Sequence, residues 1–93
     1  WHARIAPRRR CGTLTPDETR RLARSIRSVL RRGIARQGAT VRDYRGPTGE
    51  TGSMQKELCV YGQAGEPCPR CAASSERIVL SGRGTWFCPA CQR

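Results

Sequence analysis

Two pairs of cysteines near the C-terminal end limit what this chain can fold into more than any other feature. Cys68 and Cys71 form one Cys-x-x-Cys pair, and Cys88 and Cys91 form a second pair after sixteen intervening residues. Each turn of this spacing places two thiolates on one side of a tight loop, and two such turns complete a tetrahedral zinc site with S–Zn distances of ~2.3 Å. The pattern therefore predicts one structural Zn²⁺, and four protein ligands leave no position for a catalytic water.

Other roles of paired cysteines fit the sequence less well. A disulfide scaffold is typical of secreted chains, and the sequence shows no signal-peptide pattern. A thioredoxin-like redox pair needs a βαβ setting, which the sequence does not predict. Cys11 and Cys59 have no partner at ligand spacing, and we expect them to be buried or partly buried thiols.

The residues between the two cysteine pairs are predicted to form a β-hairpin. The segments SERIVL and TWFC have β character, and SGRG between them is a plausible turn. Arg83 stands in this turn between Gly82 and Gly84, whose missing side chains allow the backbone to approach another surface closely. An arginine at a metal-braced tip suits a phosphate contact, and an exposed turn arginine without a function is the alternative interpretation.

The excess of basic residues indicates a polyanionic partner. The chain has eighteen Lys and Arg and seven Asp and Glu, which gives a formal net charge of +11. Four thiolates that bind one Zn²⁺ would lower this net charge to about +9. Residues 1–45 contain thirteen basic and three acidic side chains, whereas residues 46–93 contain five and four. This imbalance favours nucleic acid over a membrane, and no segment approaches the ~20 apolar residues of a membrane span. A solvated basic surface without a partner is the alternative.

A helix is predicted from Pro16 to about Gln37. Thr15 can cap its first turn, Pro16 suits the first helical position, and Glu18 completes a capping box with Thr15. Gly38 is the predicted C-terminal cap. The helical period gives an apolar stripe of Leu22, Ile26, Val29, Leu30 and Gly33. This stripe is predicted to be buried. The same period gives a basic stripe of Arg20, Arg24, Arg27 and Arg31. This stripe either follows a phosphate backbone or is an ordinary solvated face of the helix.

The rest of the chain completes a small α+β fold of three predicted parts. The helical part covers residues 1–43, where residues 1–5 resemble the last turn of a helix that is stopped by Pro7. A mobile, glycine-rich loop covers residues 44–57, and a simple linker is the alternative for this segment. The zinc finger covers residues 58–93, and LCVYGQAGEP is predicted to lead into it as a short strand.

Several motifs together resemble one family of DNA repair enzymes. VYGQAGEPCPRC, GRGTWFCPACQ, and TVRDY followed by GETGSMQ are similar to the C-terminal domain of the formamidopyrimidine-DNA glycosylase and endonuclease VIII family. ARIAPRRR resembles the end of that family's helix–two-turn–helix unit, and LTPDETRRLARSIRSVLRRGI resembles its next helix. The resemblance covers essentially the whole chain and favours the formamidopyrimidine branch.

The resemblance implies base-excision repair of oxidised purines in double-stranded DNA. Such enzymes are DNA glycosylases and AP lyases that extrude the damaged base, at a cost of a few kcal/mol. Arg83 corresponds to the family's zinc-finger arginine, which is assigned to the backbone-cleavage step, although a guanidinium is better suited to holding a phosphate. The expected DNA contacts are Arg83, Gly82 and Gly84, with Arg8, Arg9 and Arg10 as further candidates. The expected lesion loop contains Tyr44, Thr48, Gly49, Glu50, Thr51, Gly52 and Ser53.

The resemblance also implies what this chain lacks. The family's nucleophile is an N-terminal proline in a catalytic domain that precedes this region, so we expect a monomeric, catalytically silent fragment. We expect a cytoplasmic, nucleoid-associated bacterial protein without a membrane partner. The alternative is an unrelated zinc ribbon that binds RNA in translation or transcription.

Overall fold

The computed structural model describes residues 1–38 and 52–93 of the chain. The expectations for Tyr44, Thr48, Gly49, Glu50 and Thr51 lie outside the described residues. Helix α1 spans Pro16–Ala35, strand β1 spans Glu76–Leu80 and strand β2 spans Arg83–Phe87. Short 3-10 helices lie at Cys11–Thr13 and Met54–Glu57. One helix and one two-stranded sheet agree with the predicted small α+β fold.

The described residues form two compact units. One unit combines Trp1–Ala23 with Cys59–Arg93, and the other is Arg24–Leu58. The core of the first unit consists of Val60, Cys68 and Cys88, and partly buried side chains pack against it from Trp1, Ala73, Trp86 and Cys91. This core therefore surrounds the cysteine cluster. In the described part of the chain, no helix is long and apolar enough to cross a membrane.

Helix α1 begins at the predicted capping box. The Thr15 hydroxyl oxygen accepts a hydrogen bond from the Glu18 amide at 3.1 Å, and the Glu18 carboxylate accepts one from the Thr15 amide at 2.9 Å. Two of the amide groups that a helix N-terminus leaves unpaired are thus satisfied within one turn. The prediction for this end of the helix is confirmed.

The C-terminal end of α1 differs from the prediction in one residue. Gln37, with φ of 58°, takes the left-handed position, and Gly38 follows it with φ of 74°. The Gln37 amide donates to the Ile34 carbonyl at 3.1 Å, and the Gly38 amide donates to the Gly33 carbonyl at 2.7 Å. These two bonds form a Schellman motif with Gln37 at the position that was expected for Gly38.

The apolar stripe of α1 is not buried, contrary to the prediction. Its members range from partly buried (Leu22, Val29 and Gly33) to exposed (Ile26 and Leu30). Ile26, Leu30 and Ile34 are 50%, 61% and 79% exposed, and α1 contains no buried residue. An amphipathic helix buries its apolar side only against a second layer of structure. Within residues 1–38 and 52–93, α1 is the only α-helix, so the second layer that the stripe requires is absent from the described part of the chain.

Two segments that were predicted to be regular form turns. Residues 1–5 make a single turn, in which the Arg4 amide donates to the Trp1 carbonyl at 3.0 Å and Arg4 has a left-handed φ of 59°. The segment from Leu58 contains bends and turns, because Gly62 and Gly65 have φ of 72° and 84°. The strand that the sequence predicted from Leu58 is not formed.

The predicted hairpin is present with a two-residue turn. Strands β1 and β2 are antiparallel, and Leu80 pairs with Arg83. Ser81 and Gly82 connect them with φ of 49° and 75°, which fits the type I′ turn that matches the twist of paired strands. Arg83 is therefore the first residue of β2, directly after the turn, instead of lying within it.

Candidate metal centre and basic hairpin

The four predicted ligands lie together at the end of the hairpin. The sulfur atoms of Cys68, Cys71, Cys88 and Cys91 all lie within 4.8 Å of one another. The Cys68–Cys91 pair is 3.9 Å apart and the Cys71–Cys88 pair is 3.5 Å apart. A tetrahedron with Zn–S bonds of ~2.3 Å has S–S edges of about 3.8 Å, so the cluster fits zinc.

Local hydrogen bonds shape the two cysteine turns. In the first turn, the Cys68 amide donates to the Ala73 carbonyl at 2.7 Å and the Ala72 amide donates to the Cys68 carbonyl at 2.8 Å. Ala72 has a φ of 64°, which turns the chain back toward the site. In the second turn, the Gln92 amide donates to the Cys88 carbonyl at 3.0 Å. These backbone hydrogen bonds hold the two cysteines of each pair at the spacing of metal ligands.

The Cys68 thiol lies where a thiolate is stabilised. Burial disfavours its charged form, but the Trp1 indole and the amides of Arg70 and Cys71 donate hydrogen bonds to its sulfur and lower the pKa of Cys68 to about 6. The Trp1 Nε1–Sγ distance is 3.3 Å. A deprotonated sulfur is the form that binds a metal ion. The donor set and its surroundings therefore suit a structural Zn²⁺.

Gln92 connects the second cysteine turn to the start of the chain. Its side-chain oxygen accepts a hydrogen bond from the Cys88 amide at 2.9 Å, and its side-chain nitrogen donates to the Ile5 carbonyl at 3.1 Å. Gln92 is only 5% exposed, so both bonds are shielded from water. Sequence reasoning noted this glutamine as part of a motif without assigning it a role. Its position directly after a ligand was the available signal.

The arginine triplet of the basic loop divides into one structural and two exposed side chains. Arg9 donates to the Glu18 carboxylate at 2.8 and 3.3 Å, and also to the carbonyls of Thr13 and Arg93 at 2.9 and 3.0 Å. These bonds occupy its guanidinium and lower the pKa of Glu18, which also accepts the Thr15 amide. Arg8 and Arg10 are exposed and available to a partner.

The hairpin presents Arg83 to solvent and uses its two glycines differently. Gly82 needs its left-handed φ of 75° for the turn and has open space around it. A Cβ at Gly84 would approach the Arg77 guanidinium to 2.7 Å, so Gly84 provides room for that side chain. The Arg77 guanidinium lies 5.3 Å from the centre of the Trp86 ring. Gly84 thus supports packing within the hairpin, a role that the sequence did not predict.

The described end of the expected lesion loop is attached to the end of α1. The Ser53 amide donates to the Arg36 carbonyl and the Met54 amide to the Gly38 carbonyl, both at 2.9 Å. Gly52 is buried, and a Cβ there would overlap the carbonyl oxygens of Gln37 and Gly38. Residues 38 and 52, the two ends of the intervening segment, are therefore held side by side.

Arginines of α1 also line a shallow depression, in the unit Arg24–Leu58. Its volume is about 380 Å³. It is lined by Arg24, Arg27, Ser28, Arg31 and Arg32. The predicted basic stripe is therefore a continuous cationic surface along this part of the helix. Arg20, nearer the start of α1, instead pairs with Asp17 at 2.6 Å.

Comparison with known proteins identifies the cysteine site. Residues 65–93 match the family described as the zinc finger found in FPG and IleRS. These residues are therefore similar to the zinc fingers of that family. The predicted structural Zn²⁺ is thereby confirmed, and the cluster of Cys68, Cys71, Cys88 and Cys91 is compatible with one such ion.

The similarity extends over the whole chain. It is 47% identical to formamidopyrimidine-DNA glycosylase of Chloroflexus aurantiacus and 50% identical to that of Thermomicrobium roseum, over 99% of this chain in both cases. The chain spans about a third of the length of these relatives, 33% and 32%. It corresponds to their C-terminal part, as the resemblance implied.

Solved structures give the same result for the fold. A Lactococcus lactis FPG variant in complex with Fapy-dG-containing DNA matches all of this chain with a TM-score of 0.92 and 41% identity, over 34% of its own length. MutM (FPG) from Thermus thermophilus matches 98% of this chain with a TM-score of 0.89 and 46% identity, over 35% of its own length. The predicted fold class is confirmed.

Proposed function

We propose that this chain is the DNA-binding C-terminal part of a DNA glycosylase that acts on oxidised purines. The observation that supports this most directly is the zinc-braced hairpin with an exposed Arg83 beside its turn. The solved relatives support it, because several Lactococcus lactis FPG structures are complexes with Fapy-dG-containing or abasic-site DNA. The RNA-binding zinc ribbon is not favoured, since the similarity to glycosylases covers the whole chain.

The hairpin would place Arg83 against a DNA phosphate. A guanidinium donates two parallel hydrogen bonds to phosphate oxygens, and its binding is favoured when its backbone is already ordered. The I′ turn on one side and the zinc site at the other end of β2 supply that order. Arg8 and Arg10 would add phosphate contacts of the same kind, while Arg9 would act indirectly by stabilising the loop between them.

The segment that ends at Gly52 and Ser53 would contact the extruded base. Amides of an ordered loop can read the edge of a flipped base. The paired ends at residues 38 and 52 support this role, because they fix where the loop leaves and rejoins the unit. Tyr44, Thr48, Gly49, Glu50 and Thr51 remain proposed members of this loop.

Glycosylase and AP lyase activity are proposed for the full-length protein only. The relatives are about three times as long as this chain, and the resemblance assigns their nucleophile to an N-terminal proline. In that arrangement, this chain would supply DNA affinity, the lesion loop and the phosphate contact of Arg83. DNA binding would place the protein at the bacterial nucleoid.

A salt titration of duplex binding tests the proposal. The 93-residue chain with zinc bound is titrated with a fluorescent duplex that contains an abasic-site analogue, at several salt concentrations. We expect the logarithm of affinity to fall linearly with the logarithm of salt, with a slope of about −0.9 per phosphate contacted. Affinity that does not depend on salt, or a preference for single-stranded RNA, would contradict the proposal.

A matched pair of variants tests the role of Arg83. Arg83→Gln and Arg77→Gln remove the same charge from the same hairpin, but the Arg77 guanidinium packs against Gly84 and the Trp86 ring, whereas Arg83 is exposed beside the turn. We expect Arg83→Gln to weaken duplex binding by ~1–3 kcal/mol and to reduce the salt slope by about one contact. Equal effects of the two variants would show that net charge matters and the position of Arg83 does not.

A further inference from the structure

The first residue of the chain contacts a ligand of the metal site. The Trp1 indole Nε1–H donates to the Cys68 sulfur at 3.3 Å, across 67 positions of sequence. Cys68 is 3% exposed, so water cannot readily take the place of this donor. Trp1 also packs against the core of Val60, Cys68 and Cys88. The indole is therefore held by packing with its only hydrogen-bond donor directed at a thiolate.

Arg70 holds the indole from its other side. The Arg70 guanidinium lies 3.8 Å from the centre of the Trp1 ring and donates to the Trp1 carbonyl at 3.1 Å. A cation over the face of an indole draws electron density from the ring and makes its N–H a stronger donor. Arg70 lies between Cys68 and Cys71 in the first Cys-x-x-Cys pair. The same turn therefore provides the Cys68 ligand and, through Arg70, positions Trp1, which donates to that ligand.

A second tryptophan near the site shows that packing alone does not produce this contact. Trp86 packs against the same core, lies edge-on to Tyr61 at 4.6 Å and has Arg77 over its ring at 5.3 Å. Within residues 1–38 and 52–93, its indole N–H reaches no sulfur within hydrogen-bond distance. The two tryptophans thus share burial and a stacked arginine, but only Trp1 donates to a ligand.

We propose that Trp1 is a positioning residue of the zinc site, which donates an outer-shell hydrogen bond to Cys68 and is held in place by Arg70. Four thiolates around one Zn²⁺ carry a net charge of −2, and a donor to a ligand sulfur disperses part of that charge. The bond also attaches the segment before α1 to the finger. The inference rests on zinc binding and does not depend on the proposed DNA contact.

Cadmium-113 substitution tests the bond without altering the sequence. In a chain loaded with ¹¹³Cd²⁺, a hydrogen bond to a ligand sulfur transmits scalar coupling from the metal to the donor proton. We expect a ¹H–¹¹³Cd correlation for the Trp1 indole proton and none for the Trp86 indole proton. The amides of Arg70 and Cys71, which also donate to Cys68, are internal references. Correlations from these amides without one from Trp1 would overturn the proposal.

A pair of phenylalanine variants tests the consequence for the metal. Trp1→Phe keeps a ring for Arg70 and for the core but removes the N–H, and Trp86→Phe removes an N–H that has no sulfur partner among the described residues. We expect Trp1→Phe to release zinc to a chelator about tenfold faster, at the lower end of what outer-shell changes cost. We expect the Co²⁺-substituted variant to show its thiolate-to-metal charge-transfer band at longer wavelength, because the sulfur becomes a stronger electron donor. Trp86→Phe should change neither quantity.

The band position separates an electronic effect from loosened packing. Faster zinc release with an unshifted band in Trp1→Phe, or equal shifts in both variants, would reduce Trp1 to a packing residue and overturn the proposal. Arg70→Gln supplies a second variant if Trp1→Phe does not fold. It leaves the indole in place without its cation, so we expect a smaller band shift in the same direction, and an unshifted band would also contradict the proposal.

Discussion

The side-chain amide of Gln92 joins the Cys88 amide to the Ile5 carbonyl through hydrogen bonds of 2.9 and 3.1 Å. Backbone bonds extend this connection, since the Ala6 amide donates to the Arg93 carbonyl and the Arg93 amide donates to the Arg4 carbonyl, both at 3.2 Å. The two ends of the chain are thus paired beside the cysteine cluster. The stability of the zinc finger should therefore depend on residues that precede α1.

Gln92→Leu should lower the free energy of unfolding by about 2–4 kcal/mol. Leucine fits the volume but leaves the buried Cys88 amide and the partly buried Ile5 carbonyl without partners, and an unpaired buried group costs ~1–3 kcal/mol. Chemical denaturation of the zinc-loaded chain measures the change. Gln92→Glu is the control that keeps an acceptor for Cys88 and loses the donor to Ile5. If both variants were as stable as the original chain, the amide would have no structural role.

Two glycine-to-alanine changes in the unit Arg24–Leu58 should have opposite effects. A Cβ at Gly52 would overlap backbone carbonyls of Gln37 and Gly38, whereas a Cβ at Gly33 meets nothing within 4 Å. We expect Gly52→Ala to destabilise the unit by ~1–3 kcal/mol and Gly33→Ala to stabilise α1 by ~0.5–1 kcal/mol. Amide hydrogen exchange in α1 and in residues 52–58 measures both. Stability gained in both variants would contradict the close contact at Gly52.

Acid should weaken the cap of α1 through Glu18. The Arg9 guanidinium and the Thr15 amide hold the pKa of Glu18 below its ordinary value of 4.5. A carboxyl with a lowered pKa in the folded state stabilises the fold above the unfolded pKa and loses that contribution as the pH falls through the folded pKa. Glu18→Gln should therefore be less stable than the original chain at pH 7, and the difference should shrink at about pH 3.

The matched control for this pH dependence is Glu76→Gln on β1. Glu76 is exposed and forms no ion pair with the residues that the structure describes, so its removal should change stability little at either pH. Urea unfolding of the three chains at both pH values gives the comparison. A Glu18→Gln difference that stays constant with pH would show that the Glu18 charge does not contribute.

Removal of zinc should unfold the finger. The core of Val60, Cys68 and Cys88 includes two ligands, so few apolar contacts remain once the thiolates repel one another. Four-cysteine sites of this size obtain their folding free energy largely from the metal. A chelator titration followed by NMR should show loss of the hairpin signals with the first equivalent of metal removed. A hairpin that persisted without metal would contradict this.

Local patterns predicted the parts of this structure that depend on neighbouring residues. The capping box of Thr15 and Glu18, the hairpin and the clustering of the four cysteines all follow from short spacings, and the structure contains each of them. The exposure of Leu30 was not predictable, because the helical period shows which side is apolar and cannot show whether anything packs on it. The contact of Trp1 with Cys68 was also missed, since it joins residues 67 positions apart and has no local signature.

Cys11 illustrates the same limit of sequence-based prediction. It was expected to be at least partly buried, yet it is exposed in the first turn of a 3-10 helix. Cysteine side chains are buried in most proteins. That general preference does not reveal that Cys11 lies in a short loop that leaves its side chain exposed. Cys59 is partly buried, as expected.

The turn residue before Gly82 offers a substitution that should strengthen the hairpin. Ser81 has a left-handed φ of 49°, a conformation that costs an ordinary L-residue roughly 1–2 kcal/mol and that asparagine tolerates better. Asn-Gly is the preferred pair for a type I′ turn. Ser81→Asn should therefore raise the stability of the zinc-loaded chain by about 0.5–1 kcal/mol, measured as an increase in Tm.

Ser81→Val, a β-branched residue in the same position, should lower the Tm, because valine resists positive φ. Should asparagine and valine shift the Tm equally, the backbone conformation at residue 81 would not be what limits the hairpin.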